Sequence, residues 1–223
     1  EPNGFRLATP ETGEAGLFLD PFYSPGSDYI AIGNTFIVDL IAADERGEPI
    51  GARAELYQRL MFTLARNHLT LYQDQYPLFG AAPVLTLKIL WDYAYYWGVV
   101  CPLFFRGALL DLRLMGRIGP FLDEIGERNE TIQALLRHWG ERAAPHPNPP
   151  RHIDQASIGW LADLNRRLTE QDDILAVEEE IRRNAALLEQ LATEIAAAAG
   201  AALEPPARTA PRSATPLLAG LLD

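Results

Sequence analysis

Apolar residues recur every three or four positions along most of the chain after residue 28, which is the spacing of helices with one buried face. Pro83 suits the first turn of one such helix, and Asp154 can cap another. We expect a kink or turn at residues 116–120, because Gly116 and Pro120 both disfavour a helix interior. The chain is therefore predicted to be mainly α. Helices are predicted over residues 29–43, 53–76, 82–115, 121–139, 155–168 and 171–199.

Net charge and residue composition argue against several classes of partner and site. The 223-residue chain has a formal net charge of −11 and no basic stripe that could neutralise phosphates, so no nucleic-acid partner is expected. Cys101 is the only cysteine and the four histidines show no ligand spacing, so neither a disulfide framework nor a metal site is expected. No uncharged run of about 20 residues is present. We therefore expect no transmembrane segment, and a cytoplasmic protein.

The segment over residues 12–40 combines a glycine turn, a short apolar run, a Pro-Gly loop and an amphipathic helix. Glycines in such turns let a backbone approach a ligand closely, and the N-terminus of the helix favours negative charge. This arrangement suits a ligand with a polar, partly anionic edge. On spacing alone, a purely structural turn before a helix is the commoner outcome.

Three pieces of this segment follow one another: Gly13-Glu14-Ala15-Gly16, then Phe18-Leu19-Asp20-Pro21, then Ser24-Pro25-Gly26-Ser27-Asp28. Their order resembles the second flavin-contacting segment of FAD-dependent monooxygenases and flavin-dependent halogenases, and is most similar to the tryptophan-halogenase-like oxidoreductases. The resemblance covers about the first forty residues; beyond them it concerns general layout alone. The composite pattern is more specific than any single piece of it.

The resemblance implies an FAD cofactor. In the family, an Asp in the glycine turn accepts a hydrogen bond from a ribityl hydroxyl, and here Glu14, one methylene longer, takes that place. The helix that starts near Asp28 would aim its backbone N–H groups at the pyrimidine edge of the flavin ring. The residues that the resemblance assigns to the cofactor are Gly13, Glu14, Asp20, Pro21, Ser24, Pro25, Gly26 and Ser27.

The resemblance also implies a domain organisation. Residues 1–51 would be the short end piece of an α/β FAD-binding domain, followed by a helical substrate or cap domain over residues 52–199. Separately, the short apolar-polar run at residues 5–8 suggests a strand. Residues 200–223 are predicted to be a flexible tail whose terminal leucines dock or recruit something. The G-x-G-x-x-G turn for the ADP half of FAD, the Trp-x-Trp-x-Ile-Pro signature and a matching catalytic lysine are absent, since Lys88 lies in another context. We therefore interpret the chain as a carboxy-terminal fragment that needs its missing amino-terminal half to bind FAD.

A cluster of aromatic residues follows Pro83: Trp91, Tyr93, Tyr95, Tyr96 and Trp97. Core packing is one interpretation, and the wall of a pocket for an aromatic or apolar organic substrate is the other, with Trp91 and Tyr95 as the wall. His68 lies on an apolar helix face and is expected to be a core histidine bonded to a carbonyl rather than a catalytic base. No catalytic residue is assigned.

Two functions from different classes remain open. The first is a fragment of an FAD-dependent oxidoreductase that oxygenates or halogenates an organic substrate. The second is a non-catalytic helical module that binds an apolar ligand or a partner protein through the aromatic helix. In the second case the glycine turn would be a structural turn and nothing more.

Overall fold

A computed structural model of the protein describes residues 16–20, 22–143, 153–170, 176–203 and 216–218. These residues are mainly helical and include no strand, which confirms the mainly α prediction. The predicted strand at residues 5–8, and with it the α/β character of the end piece, lies outside the described residues. The chain divides into two compact units, Glu1–Gln73 and Asp74–Asp223, called unit 1 and unit 2 below.

Unit 1 is built on two antiparallel helices, α1 (Pro25–Glu45) and α2 (Gly51–Leu69). Phe36 of α1 stacks on Tyr57 of α2 with ring centroids 4.2 Å apart. Asp39 accepts hydrogen bonds from the hydroxyl of Tyr57 and, at 2.7 Å, from Nη1 of Arg53. Burial alone would raise the pKa of Asp39, but the bonds from Tyr57 and Arg53 hold it below its usual value. These contacts place α2 with α1, so the predicted domain boundary at residue 51 falls inside unit 1.

Unit 2 is built around its central helix α3 (Ala82–Tyr95). This helix has Pro83 in its first turn, as predicted. Helix α3 packs against α5 (Leu112–Arg142), α6 (Gly159–Arg167) and α7 (Val177–Ala198). A helix that is apolar on most of its circumference is stable only when other elements cover it. The buried apolar residues of α3 are Val84, Leu87, Leu90, Trp91, Ala94 and Tyr95.

Helix α3 continues into a π-helical turn, Tyr96–Val100, and then into the short helix α4 (Cys101–Phe105). The amide of Asn184, on α7, donates to the carbonyl of Gly98 in this turn at 2.8 Å. A Cβ atom at Gly98 would lie 3.5 Å from the Cβ of Asn184, so α7 approaches the turn closely. The π turn is thus fixed by a side chain from a distant part of the sequence.

Of the two alternatives predicted at residues 116–120, the turn is wrong because helical structure continues through these residues, and the kink stays a prediction. Helix α5 runs without a break from Leu112 to Arg142, with Pro120 inside it, and Asp111 caps its start by accepting from two backbone N–H groups. Gly116, four residues before Pro120, lacks a Cβ, and both residues are exposed. The buried stripe of α5 compensates for the missing hydrogen bond at Pro120. That stripe contains Leu114, Ile118, Ile125, Ile132 and Leu136.

Several helix boundaries differ from their predicted positions. Helix α2 ends at Leu69, and a separate 3-10 turn follows at Tyr76–Gly80. Asp154 caps another 3-10 turn, Gln155–Ser157, rather than α6 itself. Local polar residues such as Asp154 can bond the nearest backbone N–H groups, so a capping residue marks a turn as readily as a helix.

Candidate functional site

The first turn of α1 is the part of the described structure that coincides with the predicted flavin-contacting segment. Tyr23 and Ser24 both have left-handed backbone angles, with φ of 70° and 56°, and Pro25 then starts the helix. The predicted loop residues Pro25, Gly26 and Ser27 therefore form the first turn itself, three residues earlier than the expected start near Asp28. The side chain of Ser24 makes no capping hydrogen bond, and Ser24 and Ser27 are exposed.

The turn that leads into α1 is fixed by three side chains. Oδ1 of Asp20 accepts a hydrogen bond from the backbone N–H of Phe22 at 2.9 Å. The hydroxyl of Tyr72 donates to the carbonyl of Phe22, and the rings of Tyr23 and Tyr72 meet edge to face with centroids 6.5 Å apart. Asp20 thus holds the turn in place, which is a positioning role beside the cofactor contact that the resemblance assigns to it.

A buried polar pair lies one turn inside the helix. The hydroxyl of Tyr29 and Nδ1 of His68 are 2.9 Å apart, and both side chains are buried. Burial lowers the pKa of His68 to about 4, and burial together with the charge of Asp28 raises the pKa of Tyr29. His68 is therefore a neutral core histidine, as expected, but its partner is a phenol hydroxyl and not a carbonyl.

The predicted cofactor residues differ in burial, and three of them lie outside the described residues. Gly26 and Asp20 are half-buried, and Pro25 is buried. Gly13, Glu14 and Pro21 lie outside the described residues, so the predicted carboxylate contact of Glu14 stays a prediction. The described part of the site is thus a partly exposed helix end, positioned by the side chains of Asp20, Tyr23 and Tyr72.

Unit 1 exposes more large apolar side chains than its size would suggest. Six of the nine exposed large apolar side chains among the described residues belong to it, although it is the smaller unit. Val38 is 65% exposed and Phe62 is 63% exposed. These side chains are called the apolar face of unit 1 below, and exposed apolar side chains of this kind are typical of interaction sites. The six residues are Phe18, Ile30, Val38, Ile41, Phe62 and Leu69.

The two residues predicted to line a substrate pocket lie in the core of unit 2. Trp91 has no exposed surface and Tyr95 is 5% exposed. Nε1 of Trp91 donates to Oδ1 of Asn129, on α5, at 2.8 Å. Both positions fit the core-packing interpretation, and the substrate role of Trp91 and Tyr95 stays a prediction.

A buried polar network links α3 to α5 and was missed in the sequence. Nζ of Lys88 lies 2.8 Å from Oδ2 of Asp92 and 2.9 Å from Oε1 of Gln133. Nε2 of Gln133 in turn donates to Oδ1 of Asp92 at 2.6 Å, and Gln133 has no exposed surface. The spacing of Lys88 and Asp92, four residues apart in an apolar run, was the available signal.

The chemistry of this network is that of a satisfied ion pair. Burial lowers the pKa of Lys88, and the neighbouring carboxylate of Asp92 opposes this shift. Each charged atom bonds another member of the network, so the group is suited to fixing how α3 packs on α5. Across the described ranges, no three His, Cys, Asp or Glu side chains converge in a way that could hold a metal ion.

Two further observations concern the chain as a whole. Within the part of the chain that the structure describes, no helix combines the length and the apolar character needed to cross a bilayer. No protein-family model matches the chain, and neither a curated protein nor a solved structure matches it.

Proposed function

We propose that the chain is part of an FAD-dependent oxidoreductase, halogenase-like or monooxygenase-like, in which unit 1 supplies the turn and helix end beside the flavin ring. One observation carries the proposal: the last piece of the composite motif, residues 24–28, forms the cap and first turn of α1. At that start the flanking residues Ser24 and Ser27 are exposed, and no Ser24 side-chain cap competes for the first N–H groups.

The described residues could serve a flavin in two ways, by stabilising negative charge at the ring and by positioning the turn beside it. Bound FAD would supply the redox chemistry by which oxygen or halide is transferred to an organic substrate. Backbone N–H groups of the first turn of α1 would stabilise negative charge at the edge of the ring, by about 0.3–1 kcal/mol if exposed and more if partly buried. Asp20 holds the preceding turn through Phe22. Asp28 lies in the first turn, where an acidic side chain favours the helix itself.

The exposed apolar face of unit 1 supports a second element of the proposal. The chain contains no G-x-G-x-x-G turn for the ADP half of FAD, so another polypeptide segment must provide it. Ile30, Val38 and Ile41 lie on α1 away from its buried stripe, and Phe62 is exposed on α2. These side chains would be covered by that amino-terminal FAD-binding half.

The test is flavin retention by the protein purified with all residues encoded in frame before Glu1. We expect bound flavin, seen as visible absorbance, and its loss in Gly26→Val, because a branched side chain would occupy the space next to the ring. Gly33→Val is the matched control, since Gly33 lies two turns further along α1 with nothing within 4 Å of an added Cβ. No flavin in the unaltered protein, or full flavin in Gly26→Val, would contradict the proposal.

The apolar face of unit 1 also favours a second candidate, a non-catalytic helical module that binds an apolar partner. This candidate uses α1 and α2 rather than the aromatic helix, because Trp91 and Tyr95 are buried. It predicts a protein without flavin and a start codon adjacent to Glu1. Under it, Val38→Asp and Phe62→Asp would abolish partner binding, whereas Gly26→Val would not.

A further inference from the structure

The segment at residues 216–218 contacts two helices of unit 2 that are distant in sequence. Oε1 of Glu194, on α7, accepts from the backbone N–H of Leu217 at 2.9 Å, and Oε2 accepts from that of Leu218 at 2.8 Å. Nε1 of Trp160, on α6, donates to the carbonyl of Leu217 at 3.0 Å. The side chain of Leu218 is 7% exposed.

Hydrogen bonds hold the backbone of this segment, and burial holds the side chain of Leu218. The two carboxylate oxygens of Glu194 accept from the successive N–H groups of Leu217 and Leu218. The indole of Trp160 donates to the carbonyl that lies between these N–H groups, so both the donors and the acceptor of this peptide unit are bonded. Hydrogen bonds donated to a carboxylate are stronger than those between neutral groups. The burial of Leu218 adds selectivity for an apolar side chain. Nε2 of Gln190 donates to Oε1 of Glu194 at 3.0 Å and orients the carboxylate.

We propose that Trp160 and Glu194 form a docking site for a Pro-Leu-Leu segment, which the chain fills reversibly with its own residues 216–218. The contact comprises three hydrogen bonds and one buried leucine, far less than the area of a stable interface between separate proteins. It persists because the segment is tethered to the same chain, and short tethers give effective concentrations on the order of millimolar. A free peptide with the same residues therefore binds once the tethered segment is displaced.

The experiment uses the full chain and a fluorescently labelled peptide with the sequence of residues 215–223, and measures binding by anisotropy. Leu218→Asp in the protein displaces the tethered segment, because it puts a charge into the buried position. We expect the peptide to bind Leu218→Asp at least about tenfold more tightly than it binds the unaltered chain, whose own segment competes. Equal binding to both proteins, or no binding to Leu218→Asp at millimolar peptide, would overturn the proposal.

A second substitution tests the role of the carboxylate. Adding Glu194→Gln to Leu218→Asp is expected to weaken peptide binding about tenfold, since one charged acceptor is lost. Glu179→Gln, at an exposed position of the same helix, is the matched control and should leave binding unchanged. Undiminished binding in the Glu194→Gln protein would overturn the assigned site. If circular dichroism shows that Leu218→Asp does not fold, Leu218→Ala takes its place.

The same proteins distinguish binding within one chain from exchange between copies. Size-exclusion chromatography of the unaltered protein is expected to show no dimer that disappears in Leu218→Asp. A concentration-dependent dimer that Leu218→Asp abolishes would show that a second copy fills the site, and would overturn the assignment to the chain's own segment.

Discussion

Nζ of Lys88 lies 2.8 Å from Oδ2 of Asp92, one turn further along α3, and the two side chains are 1% and 3% exposed. Lys88 is the only lysine of the chain, and it lies in the interior of unit 2. Gln133 of α5 bonds both charged groups, so the pair links α3 to α5. Lys88 and Gln133 are 45 residues apart in sequence.

Removing one charge of this pair is expected to cost more than removing both. Lys88→Met should lower the free energy of unfolding of unit 2 by about 3–5 kcal/mol, because it leaves the carboxylate of Asp92 buried without a cation. The double variant Lys88→Met/Asp92→Leu should recover part of that loss. Urea unfolding followed by circular dichroism measures both. Additive losses in the double variant would contradict the role of the pair as a coupled unit.

Acid should destabilise unit 1 through His68. Its pKa is about 4 in the folded protein against an ordinary value of 6.5, so the unfolded chain binds more protons between these values. The part of the unfolding free energy that depends on neutral His68 is therefore fully present above pH 6.5. It decreases as the pH falls toward 4, by about 3 kcal/mol in all. The difference in unfolding free energy between the unaltered protein and His68→Gln, measured from pH 7.5 to 4, should shrink accordingly.

Two glycines of α5 should respond in opposite directions to alanine. An added Cβ at Gly119 meets nothing within 4 Å, so Gly119→Ala should stabilise the helix by about 0.5–1 kcal/mol. At Gly140 the Cβ would fall on Cδ2 of the buried Leu78, so Gly140→Ala should destabilise unit 2 by about 1–3 kcal/mol. Thermal unfolding of the two variants gives the sign directly. Stabilisation by Gly140→Ala would show that Leu78 can move aside without loss.

Trp91 is expected to behave as a core residue. Trp91→Phe should lower the free energy of unfolding by about 2–4 kcal/mol, because it removes buried volume and leaves Oδ1 of Asn129 without the indole donor. Trp97→Phe is the matched control, since Trp97 is half-buried and packs on Tyr93 with centroids 4.8 Å apart. It should cost less than about 1 kcal/mol. Equal stability of Trp91→Phe and the unaltered protein would favour the pocket-wall interpretation instead.

Helix periodicity predicted much of the fold but not its connections. The approximate positions of α1 and α7 follow from local apolar spacing, and the start of α3 follows from Pro83, whereas the helix predicted over residues 82–115 is interrupted after Phe105. The continuity of α5 through Pro120 does not, because the local preference of Gly and Pro for a break is outweighed by a buried stripe along the whole helix.

The candidate site was predictable to a smaller extent. The motif at residues 13–28 drew attention to the start of α1, and the structure adds that Tyr23 and Ser24 turn left-handed just before Pro25. The pairing of Tyr29 with His68 has no signature in the sequence, since 39 residues separate them. The same holds for Glu194 and Leu217.

The sequence by itself determined the helical class, the excess of negative charge and the motif that suggests a flavin, because each depends on residue types and short spacings. The tertiary structure alone decided which polar groups are buried together, such as Lys88 with Gln133 and Trp91 with Asn129. The physical reason is that a buried charge or N–H group needs a partner wherever folding brings one, and no local pattern records which distant residue that is.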